Sequence, residues 1–191
     1  MSDQLTKRLN QVLPRLTASE LLSGSGIGNE IAFYIFDYPP EEELRVRAHI
    51  DFLLAQIPRH HPELRISHVN LLDLVLDHLK DRNLLEKALQ MGREKGSDHL
   101  RQQMEKILDP GKLKPVFAES ALPEQHDLVL VSGVGSVYPM LRAHALLNNL
   151  HAVMDKTPLV MFYPGRFDGR SLRLFGKLSG DNYYRAFRLV P

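Results

Sequence analysis

The sequence contains no cysteine among its 191 residues. This absence excludes disulfide bonds, thiol catalysis and zinc or iron–sulfur sites that use cysteine ligands. No apolar run approaches the roughly 18 residues that a membrane-spanning helix needs. The opening stretch, MSDQLTKRLNQVL, also lacks the apolar core of a signal peptide. We therefore expect a soluble cytoplasmic protein that has no contact with a membrane.

The chain also lacks an excess of either charge. Its 24 Lys and Arg residues and 23 Asp and Glu residues give a formal net charge of +1. Non-specific DNA binding needs a clustered positive surface, so a local patch would have to supply it. Hydrophobic residues make up 43% and charged residues 25% of the chain, which is typical of a globular protein. The length predicts one domain over residues 1–191, in which residues 71–111 could form a helical insertion.

Short apolar runs alternate with amphipathic stretches through most of the chain. The predicted strands are residues 31–36, 64–70, 128–131 and 157–163. The predicted helices are residues 3–13, 41–57, 71–79 and 138–154, with two more in 83–108 that are broken near 92–97. This alternation predicts a three-layer α/β fold, in which helices flank a mainly parallel sheet. The topology would be P-loop-like or Rossmann-like, without a Walker A motif.

Proline, glycine and capping patterns predict several boundaries. Pro14 should end or kink the first helix near Leu13. The capping box of residues 17–20 should open a short second helix. Residues 112–125 contain two prolines and mixed polarity, and they are interpreted as a connecting segment that could include a helical turn. Pro164-Gly165 should end a strand. Alternating residues from 172 onward, with turn residues at 179–182, predict a C-terminal antiparallel hairpin or a pair of edge strands.

The turn Ser132-Gly133-Val134-Gly135-Ser136 lies between a predicted strand and a predicted helix. Backbone N–H groups at such a turn can bind an anion or a nucleotide, so Ser132, Gly133, Gly135, Ser136 and Arg142 are candidate site residues. The dinucleotide fingerprint needs a third glycine where Tyr138 stands. The Gly-Lys-Ser/Thr pattern of a P-loop occurs nowhere in the chain. A structural turn and a phosphate site remain open as interpretations.

The acidic and histidine residues predict no catalytic centre, no metal site and no cofactor. His144 and His151 share one face of a predicted helix, but no HExxH or HxH motif occurs, so hydrogen-bonding histidines are the preferred interpretation. Asp37 ends a strand and could act as a base, although capping of the next helix explains it equally well. Asp127 precedes its strand and lies on the wrong edge for a ligand.

Basic and aromatic residues are concentrated near the C-terminus. The candidate partner surface consists of Arg173, Tyr183, Tyr184, Arg185 and Arg188. Arginine with tyrosine can bind nucleic acid by phosphate contacts and stacking. The same residue types are enriched at protein interfaces, and a solvated hairpin face is a third interpretation. Of the two functional interpretations, protein contact is favoured, because the rest of the chain offers no charge support for nucleic acid.

Four blocks of the sequence resemble the BrxB family over nearly the whole chain. They are GNEIAFYIFDYPPEEE, LVLVSGVGSVYPMLRAHALLNNL, PLVMFYPGRFDG and LRLFGKLSGDNYYRAFRLVP. The resemblance implies a small component of BREX (bacteriophage exclusion) systems, which protect bacteria and archaea against phage. Other components of these systems are the ATPase BrxC, the DNA methyltransferase PglX and the alkaline-phosphatase-like protein PglZ.

The resemblance also implies a way of acting. The family has no established catalytic activity and supplies no catalytic residues to carry over. We therefore expect a non-catalytic interaction subunit that associates first with PglZ, and also with BrxC and PglX. DNA would be contacted only indirectly or weakly, and self-association is open.

Overall fold

The computed structural model describes residues 2–23, 33–154, 156–178, 181–182 and 186–191. Its strands are β1 (Phe33–Tyr38), β2 (Ile66–Asn70), β3 (Leu128–Ser132), β4 (Leu159–Phe167), β5 (Ser171–Leu174), β6 (Asp181–Asn182) and β7 (Ala186–Arg188). The main sheet has the order β2-β3-β4-β1-β7, and all of its pairings are parallel. Every residue of β3 is buried, as expected for a parallel strand covered on both faces.

Helices cover both faces of the sheet. They are α1 (Ser2–Leu16), α2 (Ser19–Leu22), α3 (Glu43–His60), α4 (Leu71–Asp81), α5 (Leu85–Ile107), α6 (Pro110–Ala121), α7 (Val134–Val137) and α8 (Ala143–Met154). α1, α2 and α3 pack on one face with Phe36, Leu130 and Phe162. The other helices pack on the opposite face with Val131 and Met161. The predicted three-layer α/β fold is therefore confirmed.

The short second helix predicted after residues 17–20 is confirmed as α2, but the predicted end of α1 near Leu13 and the predicted cap by Thr17 are wrong. Pro14 lies inside α1, which continues to Leu16. Val12 and Leu16 are fully buried on either side of the proline, and this packing outweighs the hydrogen bond that the proline cannot make. Thr17 does not cap α2, because its hydroxyl donates to the carbonyl of Leu13 instead.

Residues 112–125 are mostly helical, so the interpretation as a connecting segment is wrong. The carboxylate of Asp109 accepts hydrogen bonds from the N–H groups of Gly111 and Lys112 and so caps α6. Three side chains at helical spacing then bury one face of α6: Leu113, Phe117 and Ala121. This local capping and core packing outweigh the helix-breaking effect of its prolines.

The predicted helix over 138–154 is interrupted. Residues 134–137 form the short α7, and the Tyr138-Pro139 bond, which is cis, follows it. α8 begins only at Ala143. Pro139 cannot donate the hydrogen bond that a continuous helix would require, so the chain leaves the helix and starts again.

β4 runs through Pro164 and Gly165 to Phe167, so the prediction that these residues end the strand is wrong. Beyond the main sheet, β4 pairs antiparallel with β5, and β5 pairs with β6. A Cβ atom at Gly165 would collide with the Arg173 carbonyl, which explains why glycine stands at this close backbone approach. β7 is an edge strand beside β1, which confirms one of the two C-terminal alternatives.

Two further predictions concern the long helices. Gly96 has φ 82° inside α5, which confirms the break expected near residues 92–97. Of the described helices, none combines the length and apolar character needed to cross a bilayer.

Candidate functional site

In open α/β sheets, ligands bind at the carboxyl ends of the parallel strands, where neighbouring connections leave toward opposite faces. Here β1 leads into α3 on one face, and β3 leads into α7 and α8 on the other. β4 lies between them. The carboxyl ends of β1, β4 and β3 therefore define the region in which the fold would place a ligand.

The glycines of the predicted anion turn lie against neighbouring side chains. Gly133 has φ 74°, and a Cβ atom there would collide with the side-chain oxygen of Asn70. That oxygen accepts a hydrogen bond from Leu72 N and caps α4. A Cβ atom at Gly135 would come within 3.1 Å of both Pro164 and Phe175. Both glycines therefore allow close packing between α7 and its neighbours.

The other predicted site residues do not converge on one point. The Ser132 hydroxyl is buried 2.9 Å from His68 Nε2. The Ser136 hydroxyl accepts a hydrogen bond from Arg47 at 3.2 Å. Arg142 lies before α8 and lines a cavity of about 90 Å³, which none of these serines or glycines lines. An anion site at the turn stays a prediction.

A chain of polar contacts connects β1 to the glycine turn across α3. The Tyr38 hydroxyl donates to Glu43 at 2.6 Å, and Arg47 Nε donates to the same carboxylate at 2.8 Å. Burial raises the pKa of the Tyr38 phenol well above its ordinary value, and the hydrogen bond to Glu43 raises that pKa further. The phenol is therefore a permanent donor at neutral pH. In the sequence, these polar contacts were indicated only by the four-residue spacing of Glu43 and Arg47, which allows an ion pair on one helix face.

Asp37 serves as a structural anchor. One carboxylate oxygen accepts from Arg8 at 2.8 Å, and the other accepts from Phe167 N at 3.0 Å. Arg8 also donates to the carbonyls of Asp37 and Val190. The carboxylate does not cap the helix that follows Pro39, contrary to that interpretation. Its contacts occupy both oxygens and tie α1 to the sheet.

The histidines and Asp127 also lie in structural contacts. The His151 ring stacks on Phe33, with the ring centroids 4.1 Å apart. Asp127 forms an ion pair with Arg65 at 2.8 Å. Among the described residues, no three histidine or carboxylate side chains are grouped so as to hold a metal ion.

A group of exposed arginines lies on the arginine ribbon, which we define as residues 165–174 at the end of β4 and in β5. Arg166 and Arg173 lie directly opposite each other across the two strands, and both are exposed. Arg170 is exposed in the connecting turn. The Asp168 carboxylate lies 4.0 Å from Arg173.

The Asp168 carboxylate is already occupied by the turn of the arginine ribbon. It accepts hydrogen bonds from the N–H groups of Arg170 and Ser171 and from the Ser171 hydroxyl. These bonds, first those from Ser171, lower the pKa of Asp168 to about 2. The carboxylate therefore stabilises the turn and neutralises the three guanidinium groups only in part.

Two of the predicted partner residues can be placed. Arg173 lies on the arginine ribbon, whereas Arg188, whose side chain is 38% exposed, donates to the Phe167 carbonyl and lies 3.8 Å from Asp37. Tyr183, Tyr184 and Arg185 lie outside the described residues.

A second charged surface was not predicted from the sequence. Asp73, Asp77 and Asp81 follow one another at four-residue spacing on α4, and with Glu119 of α6 they line a groove of about 380 Å³ beside β2. β2 is an outer strand of the main sheet, and β4, which carries the arginine ribbon, is an inner one. Acidic and basic residues are therefore concentrated on separate surfaces, although the net charge of the whole chain is close to zero.

Comparison with known proteins gives consistent matches. The family model described as BREX protein BrxB matches residues 67–189. A BREX protein BrxB of Bacillus cereus (strain H3081.97) is 38% identical over 189 residues, which cover 98% of both chains. A BREX protein BrxB of Escherichia coli O9:H4 (strain HS) is 37% identical over 187 residues, which cover 98% of this chain and 92% of that protein. No solved structure matches.

Proposed function

The chain belongs to the BrxB family of BREX proteins, and we propose that within this anti-phage defence system it is a non-catalytic interaction subunit. Its foremost partner would be PglZ, followed by BrxC and PglX. Its role would be to hold other BREX components together rather than to carry out a reaction.

The occupied carboxyl edge of the sheet supports the absence of catalysis. Asn70 packs against Gly133, and Phe175 packs against Gly135, where a phosphate-binding turn would leave space for its ligand. Asp37, near the carboxyl end of β1, has both oxygens in hydrogen bonds. The Tyr38 phenol, whose pKa is raised, cannot serve as a base at neutral pH.

The arginine ribbon is the observation that carries the interaction role. Like charges directly opposite each other destabilise a pair of strands, so the pairing of Arg166 with Arg173 does not itself stabilise the fold. The other side of the ribbon is anchored, because Phe167 and Leu172 are buried. Guanidinium groups held on a firm base can form paired hydrogen bonds with carboxylates. We infer that the ribbon binds an acidic surface of a partner protein.

Co-purification tests the proposal. The tagged chain is expressed with PglZ, BrxC and PglX from the same operon and captured at low salt. We expect PglZ to be retained with it. The proposal fails if the chain elutes alone while all three proteins are present and folded.

A pair of variants tests the surface separately. Arg166→Glu with Arg173→Glu reverses the ribbon and should release the partner. Arg93→Glu with Lys95→Glu makes the same change of net charge on exposed residues of α5 and should leave capture unchanged. If both variants still capture PglZ, the interaction role stands and the ribbon is not its surface.

The same variants examine direct DNA binding. Counterion release makes the affinity for DNA fall steeply with salt, by a power that reflects the number of phosphates contacted. We expect the chain alone to bind duplex DNA weakly. A steep salt dependence that the ribbon reversal flattens would instead favour a DNA-binding accessory subunit.

A further inference from the structure

The outward face of α3 carries an exposed apolar stripe, which we define as Leu44, Ala48, Phe52 and Ala55. The spacing of four, four and three residues places all four side chains on one side of the helix. Leu44 is 78% exposed and Phe52 is 49% exposed, and both alanines are exposed as well. The opposite side of α3 packs against the sheet through Val46, Ile50, Leu53 and Ile57.

A helix at the surface of a globular protein normally has one apolar face and one polar face. α3 has two apolar faces, and only one of them is covered in the described part of the chain. Leu44 and Phe52 are the two most exposed large apolar side chains of that part. The stripe therefore has the character of a helix–helix interface that lacks its partner.

The order of side-chain sizes along the stripe is self-complementary. Consider a second α3 packed antiparallel against the stripe, with the two-fold axis crossing the helix at the level of residue 50. In that arrangement, Leu44 faces Ala55 of the second copy. In the same arrangement, Ala48 faces Phe52 of the second copy. Each large side chain then meets a small one, and this allows the two helices to interdigitate.

The charges around the stripe are self-complementary in the same register. Glu41 and Arg59 lie at its two ends, and both are exposed. Antiparallel pairing brings each Glu41 to an Arg59 of the second copy. Residues on the same flank meet across an antiparallel pair, so exposed Asp51 lies near Arg47 of the second copy. A parallel pair would instead place Glu41 against Glu41 and Arg59 against Arg59.

We propose that two copies of this chain associate through antiparallel α3 helices, with the stripe of one copy packed on the stripe of the other. The contact is isologous, so each favourable pair occurs twice. α3 has 18 residues and is about 27 Å long. One helix pair of this length lies at the small end of specific interfaces, so the dimer dissociates on dilution. This association does not depend on the partners proposed above.

Sedimentation velocity of the full chain, from about 5 μM to about 500 μM, tests the proposal over the range expected for a small interface. We expect a monomer–dimer equilibrium in the wild type. Phe52→Lys should make the chain monomeric throughout this range. Leu89→Lys is the matched control, because Leu89 is 46% exposed on α5 and lies away from the stripe. Circular dichroism verifies that both variants remain folded.

A charge exchange identifies the partner as a second copy. Glu41→Arg alone, or Arg59→Glu alone, puts two like-charged pairs into the dimer and should weaken it on the order of ten-fold. Glu41→Arg combined with Arg59→Glu restores opposite charges and should recover dimerisation. A different protein that bound the stripe would not compensate the exchange.

Crosslinking tests the antiparallel direction, and the absence of native cysteine keeps the experiment simple. Leu44→Cys with Ala55→Cys should give covalent dimers with a short thiol crosslinker. The two positions are about 16 Å apart within one helix, too far for crosslinking within a copy. Leu44→Cys alone should give none. The proposal is overturned if the wild type is monomeric at every concentration, if Phe52→Lys still dimerises, or if Leu44→Cys alone crosslinks efficiently.

Discussion

Arg8 of α1 and Asp37 at the end of β1 form an ion pair with an N–O distance of 2.8 Å, and their side chains are only 15% and 10% exposed. The guanidinium also lies over the Phe36 ring, 4.8 Å from its centroid. Through its bonds to the Val190 carbonyl and to Asp37, Arg8 joins three separate parts of the chain. The pair therefore fixes α1 on the sheet.

Removal of one charge of the Arg8–Asp37 pair should strongly lower the free energy of unfolding. Asp37→Asn leaves the Arg8 guanidinium largely buried without a counter-charge. We expect the free energy of unfolding to fall by about 3 kcal/mol, as found when largely buried ion pairs are broken. Urea unfolding followed by circular dichroism measures the change.

Two further variants test whether the loss of stability comes from the buried ion pair rather than from the removal of any charged side chain. Asp3→Asn breaks the exposed Lys7–Asp3 pair and should cost less than about 0.5 kcal/mol. Arg8→Met combined with Asp37→Asn removes both charges and should recover part of the stability lost by Asp37→Asn alone. If the double variant lost as much stability as Asp37→Asn alone and Arg8→Met alone lose together, the two side chains would not be coupled.

Gly133→Ala should destabilise the fold for two reasons. The residue has φ 74°, which costs a side chain about 1–2 kcal/mol, and the new methyl group collides with Asn70. Gly176→Ala is the control, because Gly176 has φ 67° and an added Cβ there meets nothing within 4 Å. We expect Gly133→Ala to lower the free energy of unfolding by at least about 1 kcal/mol more than the control.

A double-mutant cycle attributes this difference to Asn70. Asn70→Ala removes the cap of α4 and should cost about 1 kcal/mol by itself. In combination with Gly133→Ala it relieves the collision, so the two losses should sum to more than the loss of the double variant. Strict additivity would show that the collision relaxes without cost.

The pKa of Asp168 should report on the turn of the arginine ribbon. Hydrogen bonds lower it from 3.8 to about 2, so the carboxylate stabilises the fold above pH 3.8 and loses this effect as the pH falls toward 2. Ser171→Ala removes the hydroxyl donor and should raise the pKa toward 3.8, while the backbone donors keep it from rising fully. Titration of the carboxyl carbon chemical shift by NMR measures both values. An unchanged pKa in the variant would contradict the assigned cause.

Arg173→Glu should increase stability while it weakens partner capture. The new carboxylate lies opposite Arg166 and replaces a repulsive cross-strand pair with an attractive one, and we expect this gain to exceed the loss of the 4.0 Å contact between Arg173 and Asp168. We expect a gain of about 0.5 kcal/mol, or a rise in Tm of about 1–2 °C. Arg173→Gln, which only relieves the repulsion, should gain less. A fall in Tm for both variants would mean that Arg173 already stabilises the native ribbon.

The layers of the fold could be predicted from the sequence because local patterns determine them. Residues 128–131 are a continuous apolar run, which a strand buried on both faces requires, and α4 has apolar residues at helical spacing. The errors arose where local and tertiary effects compete. Pro14 would end an isolated helix, but the burial of Leu16 keeps α1 intact.

The candidate site was less predictable, because its contacts join distant parts of the chain. Arg8 and Asp37 are 29 positions apart, and no local pattern pairs them. Asn70 and Gly133 meet only because β2 and β3 are neighbours in the sheet. The stripe on α3 could not be separated from its core face in the sequence, because exposure depends on which side of the helix the sheet covers.

β4 is part of both the main sheet and the arginine ribbon. Its first residues lie between β3 and β1, and its last residues pair with β5. A pull applied to the arginine ribbon along the strand axis would therefore be carried by covalent bonds into the interior of the sheet. There the strand is held on both sides, and sliding it out would require the hydrogen bonds to both neighbours to yield together. A force applied to the part of the ribbon in β4 is thus transmitted to the main sheet before that part separates from the domain.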